Sequence, residues 1–394
     1  MGFSINSALQ IQRFGKPTHT MQRLATLFLA FLIGGHPGAP SNCDGPCWSK
    51  NLKESDGFRS FDQQGDRPWQ SQQGICFITT DRLAVYQVEE QQQQGPLKPR
   101  DASGGAGRFH VRVAFLEASD GRELKTLDVQ TNAYSADVLP THDGQFLIHA
   151  GEALYLYSAS FEPLRLRRLP MAKVAQDESW DVEVSPAGTN IFLAHHQIFG
   201  RKERSRTDVE ILDADTLEHL ADVPVHGMNS FSAGDGFLVA GNGKGEPAIS
   251  PGLGILDLQG QWTHIPADVA GNCPPFLRAL AHQLVADVGC SMLSVKSLSN
   301  REVFSKTLKG RDTFVSVANS GHFLAAEVSR EKLTAWLDLG NPWKPLRIEL
   351  YDLSKPVEMH PVEIKGNEVQ YAVSARGDLA VVEGDLLTLH NSSE

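Results

Sequence analysis

His195 and His196 are the most metal-like pair in the chain. They sit side by side in a strand-patterned run, so their rings point to opposite faces and cannot chelate one ion, and no acidic cluster accompanies them. Gly241, Gly243 and Gly245 (GNGKG) echo a phosphate loop, but no helical pattern follows to supply N-terminal amides. Asp213-Ala214-Asp215 lacks the glycine and distal glutamate of a calcium loop. Cys43 and Cys47 (CDGPC) are separated by three residues rather than two, with no histidine and no second ligand pair, which reads as neither zinc nor haem. No G-x-S-x-G, H-E-x-x-H or C-x-x-C-H occurs. Catalytic residues, metal and cofactors are therefore all assigned as none.

The remaining chemistry belongs to isolated charges and to cysteines. Asp137, Asp181, Glu183 and Arg278 are polar positions in otherwise apolar runs. They either line a shared opening or are salt-bridged structural residues. Cys273 and Cys290 flank a hairpin whose arms read Phe276–Ala281 and Gln283–Val288. With the turn near His282, residue 276 faces 288 and Cys273 falls nearly opposite Cys290, within disulfide reach. Cys43 and Cys47 pair locally, or one of them pairs with Cys76.

These groups are carried by a strand pair that recurs seven times. Its second runs are Arg112–Glu117, Leu154–Ser158, Val209–Asp213, Leu253–Asp257, Leu293–Ser297, Arg347–Asp352 and Leu386–Asn391. Their closing residues step by 41, 55, 44, 40, 55 and 39 positions. A period of about 40–45 with occasional insertions marks four-stranded propeller blades, and seven of them close a ring that hides most sheet edges. Turn pairs such as Asp143-Gly144 and Asp235-Gly236 punctuate the runs. The expected fold is an all-β, seven-bladed β-propeller of four-stranded antiparallel blades over residues 71–394. The seventh blade has only three strands before the chain ends. A strand from an N-terminal arm (residues 41–70), within Gly57–Trp69 and packed by Phe58 and Phe61, is expected to complete it.

Units such as THDGQFLIHAGEALYLYSAS (Thr141–Ser160) and SARGDLAVVEGDLLTLHNS (Ser374–Ser392) resemble the broad group of bacterial seven-bladed propellers related to WD40 and YVTN repeats. The YVTN tetrapeptide and the Gly-His and Trp-Asp signatures are missing, so the resemblance implies architecture alone. Members of that group include scaffolds, binding modules and enzymes.

Residues 1–40 read as a signal peptide, with the true start at Met1 or Met21. Leu24–Ile33 (LATLFLAFLI) is too short for a bilayer core but matches a secretory apolar region. Arg23 precedes it, and Gly34, Gly35, Gly38 and Ala39 follow. The mature protein is then secreted or periplasmic, without a membrane span. A net charge of −11 argues against nucleic acid as a partner.

Four long insertions, Glu89–Arg108, Gln197–Arg206, Asn242–Pro251 and Ser329–Leu346, all join the second strand of a blade to its third. Strands alternate in direction, so all four emerge on one face. They hold eleven basic and seven acidic residues, a net +4 on an acidic protein. Arg201, Lys202, Arg204 and Arg206 cluster in one of them, and Trp336 and Trp343 lie in another. Arginine with tryptophan suits anionic or sugar-like ligands and protein hot spots. The candidate ligand-binding set is thus Arg201, Lys202, Arg204, Arg206, Trp336, Trp343, Arg278, Asp137 and Asp181. The leading expectation is a non-catalytic binding or scaffolding protein that recognises a protein or an anionic or glycan ligand on this face. The alternative is an extracytoplasmic enzyme acting on carbohydrate or peptide at the central channel mouth.

Overall fold

The structure is a computed structural model. It describes residues 45–58, 73–90, 109–131, 136–170, 177–199, 204–223, 228–242, 253–258, 261–265, 276–289, 291–331, 343–355, 357–359 and 361–391. Alternating apolar residues separated by Gly, Asp and Asn turns form short antiparallel sheets of four strands. From the axis outward, blade 1 is Gln73–Thr79, Arg82–Glu90, Phe109–Glu117 and Glu123–Thr131. Blade 2 is Ala136–Pro140, Phe146–Ala150, Ala153–Tyr157 and Pro163–Arg168. Blade 3 is Asp177–Val184, Asn190–Phe199, Arg204–Asp213 and His219–Val223. Blade 4 is Met228–Gly234, Phe237–Asn242, Leu253–Asp257 and Trp262–Ile265. Blade 5 is Phe276–Leu280, Leu284–Gly289, Met292–Ser297 and Glu302–Thr307. Blade 6 is Asp312–Ser320, Phe323–Glu331 and Trp343–Asp352, with an outer strand in two pieces, Val357–Glu358 and Val362–Glu363.

Blade 7 contributes Gln370–Val373, Leu379–Glu383 and Leu386–His390 from the end of the chain. Trp48–Asn51 pairs antiparallel with its third strand, Trp48 opposite Leu389 and Asn51 opposite Leu386. The strand thus lies ahead of the Gly57–Trp69 segment expected from sequence. Of that segment Phe58 is buried, while residues 59–69, Phe61 among them, lie outside the described residues.

Each blade buries its two faces against its neighbours. Leu147, Leu154 and Leu156 of blade 2 pack on Val182, Ile191 and Leu193 of blade 3. Leu52 and Phe58 join Leu387 and Leu389 of blade 7 to Leu83 and Leu116 of blade 1. Such clusters fill all seven blade junctions, so the apolar material is spread around a ring rather than gathered in one centre. The protein is a seven-bladed β-propeller.

Two details differ from the sequence reading. Gln197–Arg206 is mostly strand: Asn190–Phe199 and Arg204–Asp213 pair as far as Phe199 opposite Arg204, so the basic hairpin prolongs blade 3. Cys76 carries a free thiol, which removes its alternative pairing with Cys43 or Cys47. Burial and the nearby Asp137 carboxylate push that thiol up to about 12, so it stays neutral and unreactive. Phe276 faces Val288 as the cysteine hairpin requires, but Cys273 and Cys290 themselves lie outside the described residues. Among the described residues no helix is long and apolar enough to cross a membrane.

Candidate functional site

Because strands alternate, the turns between first and second strands lie on one face of the ring and the second-to-third connections on the other. The described strand ends that flank the long insertions, Glu90 and Phe109, Phe199 and Arg204, Asn242 and Leu253, and Glu331 and Trp343, share the second face. Arg201, Lys202 and Trp336 lie outside the described residues, and Arg204 and Arg206 stand on the third strand of blade 3 opposite Phe199 and Gln197. Trp343 opens the third strand of blade 6, half-buried opposite Glu331.

The inner-strand charges converge in pairs. Asp137 meets His149 at 3.3 Å within blade 2, and Asp181 meets His196 at 3.0 Å within blade 3. His195, on the other face of that strand, stacks on Trp180 at 3.8 Å. Asp213 accepts hydrogen bonds from the Asp215 and Thr216 amides and the Thr216 hydroxyl, which hold its carboxyl below the usual range in an ordinary turn. Arg278 reaches across blade 4: its Nη1 donates to Glu183 Oε1 at 2.8 Å, joining blade 5 to blade 3.

Burial pushes the Glu183 carboxyl above its ordinary 4.5 despite Arg278 and the Ala233 amide, and Asp137 adds to the rise. Between its unfolded and folded values the native state holds this proton more tightly, so stability falls as pH climbs through that window. Glu183→Gln is expected to remove this slope. The stability difference between wild type and variant, measured by urea denaturation, should change from about pH 4 upward and level off above the raised value. A difference that stays flat to about pH 8 would contradict the burial of this carboxyl.

Glu183 and Arg278 open into a cavity of about 340 Å³ on the axis, at the face of the short turns. Its wall is made by the ends of inner strands from every blade, including Thr79, Thr141, Ser185, Ser232 and Ser320. The rim is tied from blade to blade. Arg376 of blade 7 donates to the Thr80 carbonyl and pairs with Asp81 at 2.7 Å. Arg82 of blade 1 donates to the Ala159 carbonyl of blade 2. The His142 amide of blade 2 donates to the Gly188 carbonyl of blade 3, and the Ala187 amide donates to Asp235 of blade 4. His282 of blade 5 stacks on His322 of blade 6 at 4.2 Å. Gly188 has φ 74° and a Cβ there would stand 2.4 Å from the His142 nitrogen, so only glycine fits this seam.

Sequence reasoning singled out Arg278 and Glu183 as polar positions, but not Thr141 or the rim ties. The only local signal for them is the turn run Thr141-His142-Asp143-Gly144, which marks a bend and no partner. Among the described residues no group of three or more His, Cys, Asp or Glu could hold a metal ion.

No protein-family model matches the chain, and no curated protein matches it. Solved structures of low identity are similar to the chain over much of its length. An uncharacterized protein, lmo1340, from Listeria monocytogenes is 12% identical over 80% of this chain and 89% of its own, with a TM-score of 0.47. BBS1N, solved in complex with ARL6DN, is 11% identical over 83% of this chain and 93% of its own, with a TM-score of 0.46. BamB from Moraxella catarrhalis is 9% identical over 81% and 84%, with a TM-score of 0.39.

Proposed function

We propose that the chain is a non-catalytic binding or scaffolding propeller, exported through a signal peptide at residues 1–40. An N-terminal arm at 41–70 and the propeller at 71–394 follow it, and the long-connection face of the propeller recognises a protein or an anionic or glycan ligand. What supports the proposal is topological: the strand ends that flank the long insertions lie at one end of the ring, and the insertions bring a net positive charge to an acidic protein. Loops built out on a rigid scaffold are where binding concentrates.

With heparin as an anionic glycan probe, replacing Arg201, Lys202, Arg204 and Arg206 by Ser should weaken binding and flatten its salt dependence, since screened charge supplies the attraction. Trp336→Ala and Trp343→Ala should raise the off-rate. Hydrogen exchange protection confined to the short-turn face would overturn the placement. Cys273–Cys290 remains a proposed staple for exported protein. It would close a loop of about 17 residues, worth about 3 kcal/mol in the chain-entropy model. Peptide mapping without reductant should recover the linked pair, and two free thiols would count against export as well.

The enzyme reading has one observation in its favour, the raised carboxyl of Glu183 facing a cavity beside Arg278. Turnover of a carbohydrate or peptide that Glu183→Gln abolishes would establish it.

A further inference from the structure

The short-turn cavity lies on the face opposite the long insertions, so what it binds does not depend on the loop-face proposal. At about 340 Å³ it sits at the small end of the range for ligand pockets. The rim ties between blades make it preformed, so little ordering is needed on binding. Among the described residues its lining contains one cation and one carboxylate, Arg278 and Glu183, already paired to a net charge of zero.

Three polar groups have hydrogen-bonding capacity left over. Arg278 donates to Glu183 through Nη1 only; its side chain is 40% exposed, and among the described residues nothing accepts from Nε or Nη2. Glu183 takes Arg278 and the Ala233 amide, and its two oxygens keep lone pairs beyond these two partners. Thr141, 7% exposed, has a buried Oγ1 without a hydrogen-bond partner on the cavity wall. A buried hydroxyl of this kind costs stability until something meets it.

The charge balance selects the ligand. An anion on the free edge of Arg278 would stand against Glu183, and a cation beside Glu183 would stand against Arg278. Neither meets a second countercharge, because among the described residues no other charged side chain lines the cavity. An uncharged molecule with adjacent hydroxyls uses both partners at once. The planar guanidinium donates two parallel bonds, the carboxylate accepts from hydroxyl groups, and a turn of the Thr141 side chain brings its covered hydroxyl to a further one.

We infer that the short-turn cavity is a binding site for an uncharged polyhydroxyl compound of monosaccharide size, held by Arg278, Glu183 and Thr141. The test is calorimetric titration of the full chain with glucose, galactose, mannose and myo-inositol, with glucuronate and glucosamine as anionic and cationic comparators. At least one neutral probe should bind, and both charged comparators should bind about tenfold more weakly. Glu183→Gln and Arg278→Gln should each lower the affinity about tenfold. Thr141→Val, which removes only the orphan hydroxyl at constant shape, should lower it while leaving the fold intact. The four Ser substitutions at Arg201, Lys202, Arg204 and Arg206 should leave it unchanged. The inference is overturned if none of the four neutral probes binds, if a charged comparator binds more tightly, or if Thr141→Val and Glu183→Gln bind as wild type does.

Discussion

Trp48→Ala combined with Leu52→Ala is expected to destabilise the protein by about 5 kcal/mol, enough to open the ring at the junction of blades 7 and 1. Trp48 donates its indole N–H to the Ala118 carbonyl at 2.8 Å and packs so closely on Gly121 that a Cβ there would stand 2.9 Å from the ring. Leu52 is fully buried among Leu83, Leu116, Leu387 and Leu389. Lys50 adds a 2.8 Å pair with Asp56 and a bond to the Gly121 carbonyl. Leu→Ala in a core costs about 2–5 kcal/mol and Trp→Ala about 3–5, discounted here because Trp48 is only half-buried. Urea denaturation followed by circular dichroism gives the total. Hydrogen exchange should show blades 7 and 1 opening first. An unfolding free energy within about 0.5 kcal/mol of wild type would mean that the ring is held shut without this strand.

Arg347→Ala is expected to cost about 3–5 kcal/mol, because it leaves Glu349 buried and unpaired in blade 6. Glu349 is 2% exposed and takes Arg347 Nε at 2.8 Å and Nη2 at 2.6 Å, with the buried Tyr351 hydroxyl donating to its other oxygen. Arg347 also reaches Asp312, which Arg330 holds from the far side at 2.7 Å. The penalty comes from the orphaned carboxylate rather than from the lost attraction. Arg347→Met with Glu349→Leu should therefore recover most of it, and the double-mutant cycle should show strong coupling. Equal and additive losses for the two changes would refute that account.

The repeat was legible because strand physics is local. Side chains alternate with period two, Gly and Asp supply the turns, and every buried run needs a partner sheet. Glu117, Asp213, Asp257, Ser297 and Asp352, read as closing residues, end third strands in the structure. The common face of the strand ends that flank the insertions followed from strand direction alone. The hairpin register of Phe276 on Val288 followed from its turn.

What the sequence could not contain was the meeting of distant residues across the axis. Arg278 and Glu183 are 95 residues apart and skip a blade, and alternation says only that each leaves its own strand on a given side. Thr141 gains its meaning from a cavity to which all seven blades contribute. The closing strand, Trp48-Ser49-Lys50-Asn51, is too short to carry a period, and its position is set by the free edge of Leu386–His390 and by the Ala118 carbonyl that its indole finds. Local pattern therefore determined the number of blades, while the curvature of the closed ring decided which polar side chains face one another.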